Sequence, residues 1–310
     1  MPPNFFGIGL GLTGLGQVWQ LADQNIGGVG GVVFVTYLIA AIAWGSLVTT
    51  YLLKLLTTPA RTKADFTSEI LAPFISLAPI TGMILGEGLA ETLPTAGKTM
   101  VIICAVVTLI LGGWLTGQWI VEALDDALIH PGYFLPTVAG GFVGSFALNA
   151  VGFRWAALMS FGIGAICWLV VGSLVMNRLF FRPTLPPPLI PTLAIEVAPP
   201  AVAGIAWIQL FPDSGNAVQL ALAGYACLMV IVQLRLIGLY RSLKFTPGFW
   251  AFTFSYCSVA SYGILWLGLT KPAGSQALSW LLVALATILV GGIAVRTIIA
   301  LTRRQFLPPA

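Results

Sequence analysis

An all-α integral membrane fold, with ten transmembrane helices arranged as five helical hairpins around a common axis, follows from three features of this 310-residue chain. The first is composition: 58% of the residues are hydrophobic and only 8% charged, with a mean hydropathy of +0.97, far outside the range of a soluble domain of this length. The second is a series of apolar stretches long enough to cross a bilayer core of about 30 Å, which takes about 20 helical residues. The third is an alternation along that series, in which stretches interrupted by proline or dense glycine take turns with stretches that contain no proline.

The stretches run as follows. Phe5 to Ala22 carries Gly7, Gly9, Gly11, Gly14 and Gly16, and Gly30 to Leu56 is uninterrupted. Ile70 to Gly88 contains Pro73 and Pro79, whereas Gly97 to Val121 is smooth. Phe134 to Val151 contains Pro136, and Trp155 to Met176 has no proline. Ile190 to Phe211 contains Pro199 and Pro200 and is followed by the smooth Ala217 to Tyr240. Phe249 to Leu269 is preceded by Pro247, and Ala277 to Leu301 closes the series. Irregular backbone survives at membrane depth only where protein or a water-filled cavity satisfies the freed polar groups. The broken helices are therefore expected inside, around an axis, and the smooth ones against lipid.

The broken stretches begin near Phe5, Ile70, Phe134, Ile190 and Phe249, a period of roughly 60 residues that suggests repetition of one hairpin unit. A hairpin has an even number of spans, so every copy keeps the same orientation. Two inverted halves of five spans would instead give similarity at about 150 residues with opposite topology. The loops near Thr57 to Glu69, Glu122 to Gly132 and Asn177 to Leu189 are too short to fold independently, so residues 1–310 read as a single ten-span domain.

Loop cations orient the spans. With both termini cytoplasmic, the inner side holds Lys54, Arg61, Lys63, Arg178, Arg182, Arg235, Arg241, Lys244, Arg296, Arg303 and Arg304, against Lys98, Arg154 and Lys271 outside. The net charge of +4 is thus a topological signal rather than a nucleic-acid-binding one. Met1 to Asn4 lacks the basic start of a secretory signal, so the first stretch is expected to remain as a span.

Little in the spans can do covalent chemistry, which excludes an enzyme and leaves transport as the default. Cys104, Cys167, Cys227 and Cys257 fall within spans without metal-ligand spacing, and neither metal nor cofactor is expected. His130, beside Pro131, suits a loop cap. Carboxylates such as Asp213 lie in loops and at span ends, with Glu196 the exception inside a broken helix. Three roles fit Glu196: a structural group bonded to backbone near the prolines, a pore-side group tuning anion passage, or a proton-coupling carboxylate. Phe252 and Phe254 lie two apart and face different sides of a helix, so one can enter the axis while the other packs outward. A bulky apolar ring in a narrow pore can stop conduction, although core packing also accounts for either ring.

Several runs carry a resemblance: Phe5-Phe6-Gly7-Ile8-Gly9-Leu10-Gly11-Leu12, Ala78-Pro79-Ile80-Thr81, Tyr133-Phe134-Leu135-Pro136-Thr137-Val138-Ala139, Ala198-Pro199-Pro200-Ala201, Gly224-Tyr225 with Leu234-Arg235-Leu236, and Trp250-Ala251-Phe252-Thr253-Phe254. In order and spacing they resemble the tellurite-resistance/dicarboxylate transporter family, which includes the bacterial TehA proteins and relatives of the plant guard-cell slow anion channel. The resemblance implies a homotrimer in the bacterial inner membrane. Each subunit would have its own pore, formed by five inner helices in quasi-fivefold arrangement and occluded by a phenylalanine whose counterpart is Phe254. Candidate pore-lining residues are Gly9, Phe74, Pro79 and Pro136, together with Phe142, Glu196, Pro199 and Phe252. Gly9 stands where some relatives have proline, and Gly141 where some have asparagine. Passage of small inorganic anions, nitrate before chloride, is the expected function; a carrier for C4-dicarboxylates, tellurite or organic cations is the alternative.

Overall fold

A computed structural model describes residues 1–122, 124–212 and 217–303. Asp213, named above among the carboxylates of loops and span ends, and Arg304, placed on the inner side, lie outside the described residues. Among those described there are helices and loops but no strands. The α-helices are α1 (Phe6–Ile26), α2 (Gly30–Thr57), α3 (Pro59–Thr67), α4 (Leu77–Ala90), α5 (Pro94–Val121), α6 (Gly140–Ala150), α7 (Arg154–Phe181), α8 (Ala198–Leu210), α9 (Ala217–Arg241), α10 (Ala251–Thr270) and α11 (Ser275–Thr302).

The chain is a multi-pass membrane protein: among the described residues, eight helical stretches are long and apolar enough to cross a bilayer. Two further stretches fall outside that set. One is α1, whose second half carries Gln17, Gln20 and Asp23. The other is 131–150, which is divided into 3₁₀, π and α pieces.

The division between broken and smooth helices has a local cause. Helices α1, α4, α6, α8 and α10 are each preceded by a short run of tighter helix, namely Pro3–Phe5, Ala72–Ser76, Pro131–Phe134, Ile190–Val197 and Pro247–Trp250. Every one of these runs has proline in its first or second position. Proline lacks the N–H that an interior turn would use, but its fixed φ suits a helix start, so it initiates each run and the regular α-helix follows. After Pro131–Phe134 the chain passes through a π-helical turn, Leu135–Ala139, which contains Pro136. In the seventh stretch the irregular part begins at Ile190, with Pro191 second in the run, and not at Pro199 and Pro200, which occupy the first turn of α8.

In the first stretch the glycines do not break the helix, since glycine keeps its N–H and α1 is continuous from Phe6. They form instead a contact stripe: a Cβ added at Gly7, Gly11 or Gly14 would meet Trp250, Thr253 or Phe254 respectively. The short helix α3, within an expected loop, is held by Asp65, which accepts from Tyr51 Oη at 3.0 Å and pairs with Lys54. Lys54 Nζ also donates to the Met1 carbonyl at 3.2 Å, fastening the amino-terminal residues to α2.

Burial follows the same division. In Ile190–Leu210, 89% of the most apolar stretch is buried inside the protein, against 6% in Gly30–Thr57. The smooth helices expose large apolar side chains such as Phe34, Ile110, Leu169 and Ile288. In water such a surface would be costly; in hydrocarbon it is matched to its solvent. Helix α1 packs against α4 and α10, α4 against α6, α6 against α8, and α8 against α10. Each of these five also packs against the smooth helix that follows it in sequence.

Candidate functional site

The proline-initiated ends of the broken stretches converge on a cavity of about 200 Å³. All five contribute: Asn4, Gly7 and Leu10; Phe74 and Leu77; Phe134, Val138 and Phe142; Thr192, Ile195, Pro199 and Val202; and Pro247, Trp250, Phe254 and Ser255. Among the described residues no charged side chain lines it, and its polar lining residues apart from Trp250 are Asn4, Thr192 and Ser255. Thr192 Oγ1 donates to the Leu189 carbonyl at 2.6 Å and Ser255 Oγ to the Ala251 carbonyl at 2.9 Å. The Trp250 indole donates to Thr297 Oγ1 at 3.0 Å. The wall is therefore apolar in its effective chemistry.

Phe254 projects from α10 and is buried against α1. Its approach is set by Gly14, where a Cβ would lie 3.0 Å from Phe254 Cδ2. Phe142 borders the same cavity, but its ring turns toward α7, with centroids 5.4 Å from Phe161 and 6.1 Å from Trp168. A side chain at Gly164 would collide with it there. Phe74 is stacked on His130 at 5.8 Å. His130 in turn caps the Pro131–Phe134 run, its Nδ1 accepting from the Gly132 N–H at 3.0 Å. Burial pulls the His130 imidazole down to about 4, a direction to which the nearby Arg178 adds.

Of the residues proposed from sequence, Phe74, Phe142, Pro199 and Phe254 meet at this cavity. The others face elsewhere or lie outside its lining. A Cβ at Gly9 would point at Trp44 of α2, and Pro79 is not among the lining residues. Pro136 borders a separate crevice with Gly112 and Thr137. Phe252 packs outward, with its ring 4.8 Å from that of Tyr240 and stacked 6.1 Å from that of Tyr256. Glu196 is buried beside the wall without lining it, and its Oε1 has no hydrogen-bond partner. Close by, Gln233 Nε2 donates to the Leu193 carbonyl at 2.9 Å, while Tyr240 and Tyr256 donate to Gln233 Oε1.

Sequence reasoning missed Asn4, Thr192, Val138 and Val202. The spacing Asn4, Gly7, Leu10 and the spacing Thr192, Ile195, Pro199, Val202 each mark one helical face. That signal was available once the inner helices were known, but it is silent on which face turns inward.

Comparison with known proteins finds relatives along the length of the chain. A tellurite resistance protein TehA homologue of Haemophilus influenzae is 25% identical over 307 residues, covering 99% of this chain and 92% of that protein. The S-type anion channel SLAH3 of Arabidopsis thaliana is 29% identical over 202 residues, 64% of this chain. The guard cell S-type anion channel SLAC1 of the same plant is 25% identical over 190 residues, 61% of this chain. This chain covers about a third of each plant protein, 31% and 33% respectively. Residues 1–298 match the SLAC1 family of voltage-dependent anion channels across their length, and the chain belongs to that family.

Proposed function

We propose that the protein is an anion channel of the plasma membrane, passing small monovalent anions such as nitrate and chloride through a pore closed by Phe254. The observation that carries this reading is the apolar cavity at the converging starts of the five broken helices, with Phe254 on its wall. In this reading α1, α4, α6, α8 and α10 form a quasi-fivefold ring, their following helices complete ten spans, both termini are cytoplasmic, and three copies assemble with one pore each. The cyclic order of helix contacts supports the ring.

The chemistry of the wall supports anions over cations. Each broken helix points its amino-terminal end toward the cavity, and that end carries roughly half a positive elementary charge. Fixed dipoles of this sign favour an anion without binding it as tightly as a buried lysine or arginine would, so the ion can leave. With no charged side chain on the wall among the described residues, selectivity among anions rests on how readily each sheds water. Nitrate is then preferred to chloride. Reversal potentials under bi-ionic nitrate and chloride gradients, in the Phe254→Ala background, test this order. Equal permeability, or permeation by sodium, would contradict it.

A further inference from the structure

We propose that Asn4 is the anion-coordinating, selectivity-determining residue on the wall of the cavity. This rests on the anion-channel reading for its functional meaning, but the argument comes from an inventory of hydrogen-bond donors. Among the side chains lining the cavity, those able to donate are Asn4, Thr192, Trp250 and Ser255. Three of them are committed, Thr192 to the Leu189 carbonyl, Trp250 to Thr297 and Ser255 to the Ala251 carbonyl. Prolines 188, 199 and 247 have no N–H to offer.

The Asn4 carboxamide is different. Its Oδ1 is buried and has no hydrogen-bond partner. Its backbone is fixed in the Pro3–Phe5 turn, where the Phe6 N–H donates to the Asn4 and Pro3 carbonyls, and the buried rings of Phe5 and Phe6 anchor the next two positions. The side chain is thus held at the cavity wall by its neighbours with no bond fixing its Oδ1, and a half-turn about its terminal torsion exchanges Oδ1 for the donating Nδ2. An amide N–H turned toward an anion replaces one water of the ion's shell without breaking any bond in the protein. Its neutrality keeps that contact weak enough for release. Asn4 precedes α1 and lines the same cavity as Phe254, so an ion held by its amide occupies the space that the Phe254 ring borders.

Two measurements decide the matter. Crystals of the full-length wild-type protein soaked in bromide are expected to show an anomalous peak within hydrogen-bond reach of Asn4 Nδ2, and the same soak of Asn4→Leu is expected to show none. No peak at Asn4 in the wild type, or one that persists in Asn4→Leu, overturns the proposal. In the Phe254→Ala background, Asn4→Leu is expected to raise the half-saturating nitrate concentration about tenfold, as for one lost hydrogen bond to a charged group. The near-isosteric Asn4→Asp, which places a carboxylate there, is expected to lower anion conductance further. Unchanged half-saturation and conductance in both variants overturn the role of Asn4 while leaving the channel reading intact. A silent Phe254→Ala protein removes the channel reading, and bromide binding then decides on Asn4 alone.

Discussion

Gly14 of α1 lies directly against the ring of Phe254 on α10: a Cβ at Gly14 would stand 3.0 Å from Phe254 Cδ2 and 3.2 Å from Cys257 Cβ. The absence of a side chain at one position thus sets where the aromatic ring of the other rests. Gly14→Ala overpacks this contact and is expected to cost about 1 to 3 kcal/mol. In the Phe254→Ala background the Cδ2 contact is gone while the 3.2 Å approach to Cys257 Cβ remains, so the same substitution should cost less. Thermal unfolding of the four proteins of this double-mutant cycle in detergent measures the coupling; strict additivity would show that the ring does not rest on Gly14.

Arg178 supplies a second prediction. It is buried at the end of α7, where Nε and Nη2 donate to the Ala127 carbonyl at 3.2 and 2.8 Å, and Nη1 donates to the Pro183 carbonyl at 2.8 Å. One guanidinium ties two loops together. A lysine has a single ammonium and cannot span both carbonyls in this geometry, so Arg178→Lys is expected to lower stability by about 2 kcal/mol despite the conserved charge. Tm measured against the parent checks it, and a shift below one degree would contradict the assigned role.

His130 yields a pH dependence. Its value falls from the ordinary 6.5 to about 4 on burial, so between those limits the unfolded chain binds a proton that the folded one does not. Stability from this group is therefore fully present above pH 6.5 and declines as pH falls toward 4. The full contribution is on the order of 3 kcal/mol. His130→Asn, which keeps an acceptor for the Gly132 N–H, should flatten that part of the profile. Parallel profiles for parent and variant between pH 7 and 4 would contradict this account.

The Asp65 anchor of α3 gives a further test. Asp65 accepts from Tyr51 and pairs with Lys54, which also reaches the Met1 carbonyl. Asp65→Asn leaves a partly buried ammonium without its counter-charge and is expected to cost about 1 to 3 kcal/mol. Proteolysis in the 59–67 region should accelerate as α3 loosens from α2. An unchanged cleavage rate would show that α3 is held by other contacts.

Much of the fold was legible because its causes are local. Prolines 73, 136 and 247 marked irregular helices correctly, since a missing N–H acts within its own turn. Smooth apolar runs such as Gly97 to Val121 could be read from hydropathy alone. The glycines of the first stretch misled on helix regularity, because their purpose is the approach of α10, a contact between residues more than 200 positions apart. The same limit governs the site. Phe254 was distinguishable by resemblance, but the outward turn of Phe252 and the position of Glu196 behind the wall depend on how α9 packs, which no local pattern encodes. Asn4 lay in plain view as an isolated polar residue, and only the cavity gives it meaning.

Phe254 as the closure of an anion-conducting axis is the central claim, and macroscopic conductance of Phe254→Ala against the parent, in nitrate and chloride at matched surface expression, tests it most directly. Removing the ring from the wall of the cavity is predicted to raise anion conductance at least about tenfold, as expected when a steric and dewetting barrier of more than about 1.4 kcal/mol is lifted. A folded, correctly inserted Phe254→Ala protein whose anion conductance equals that of the parent would contradict it.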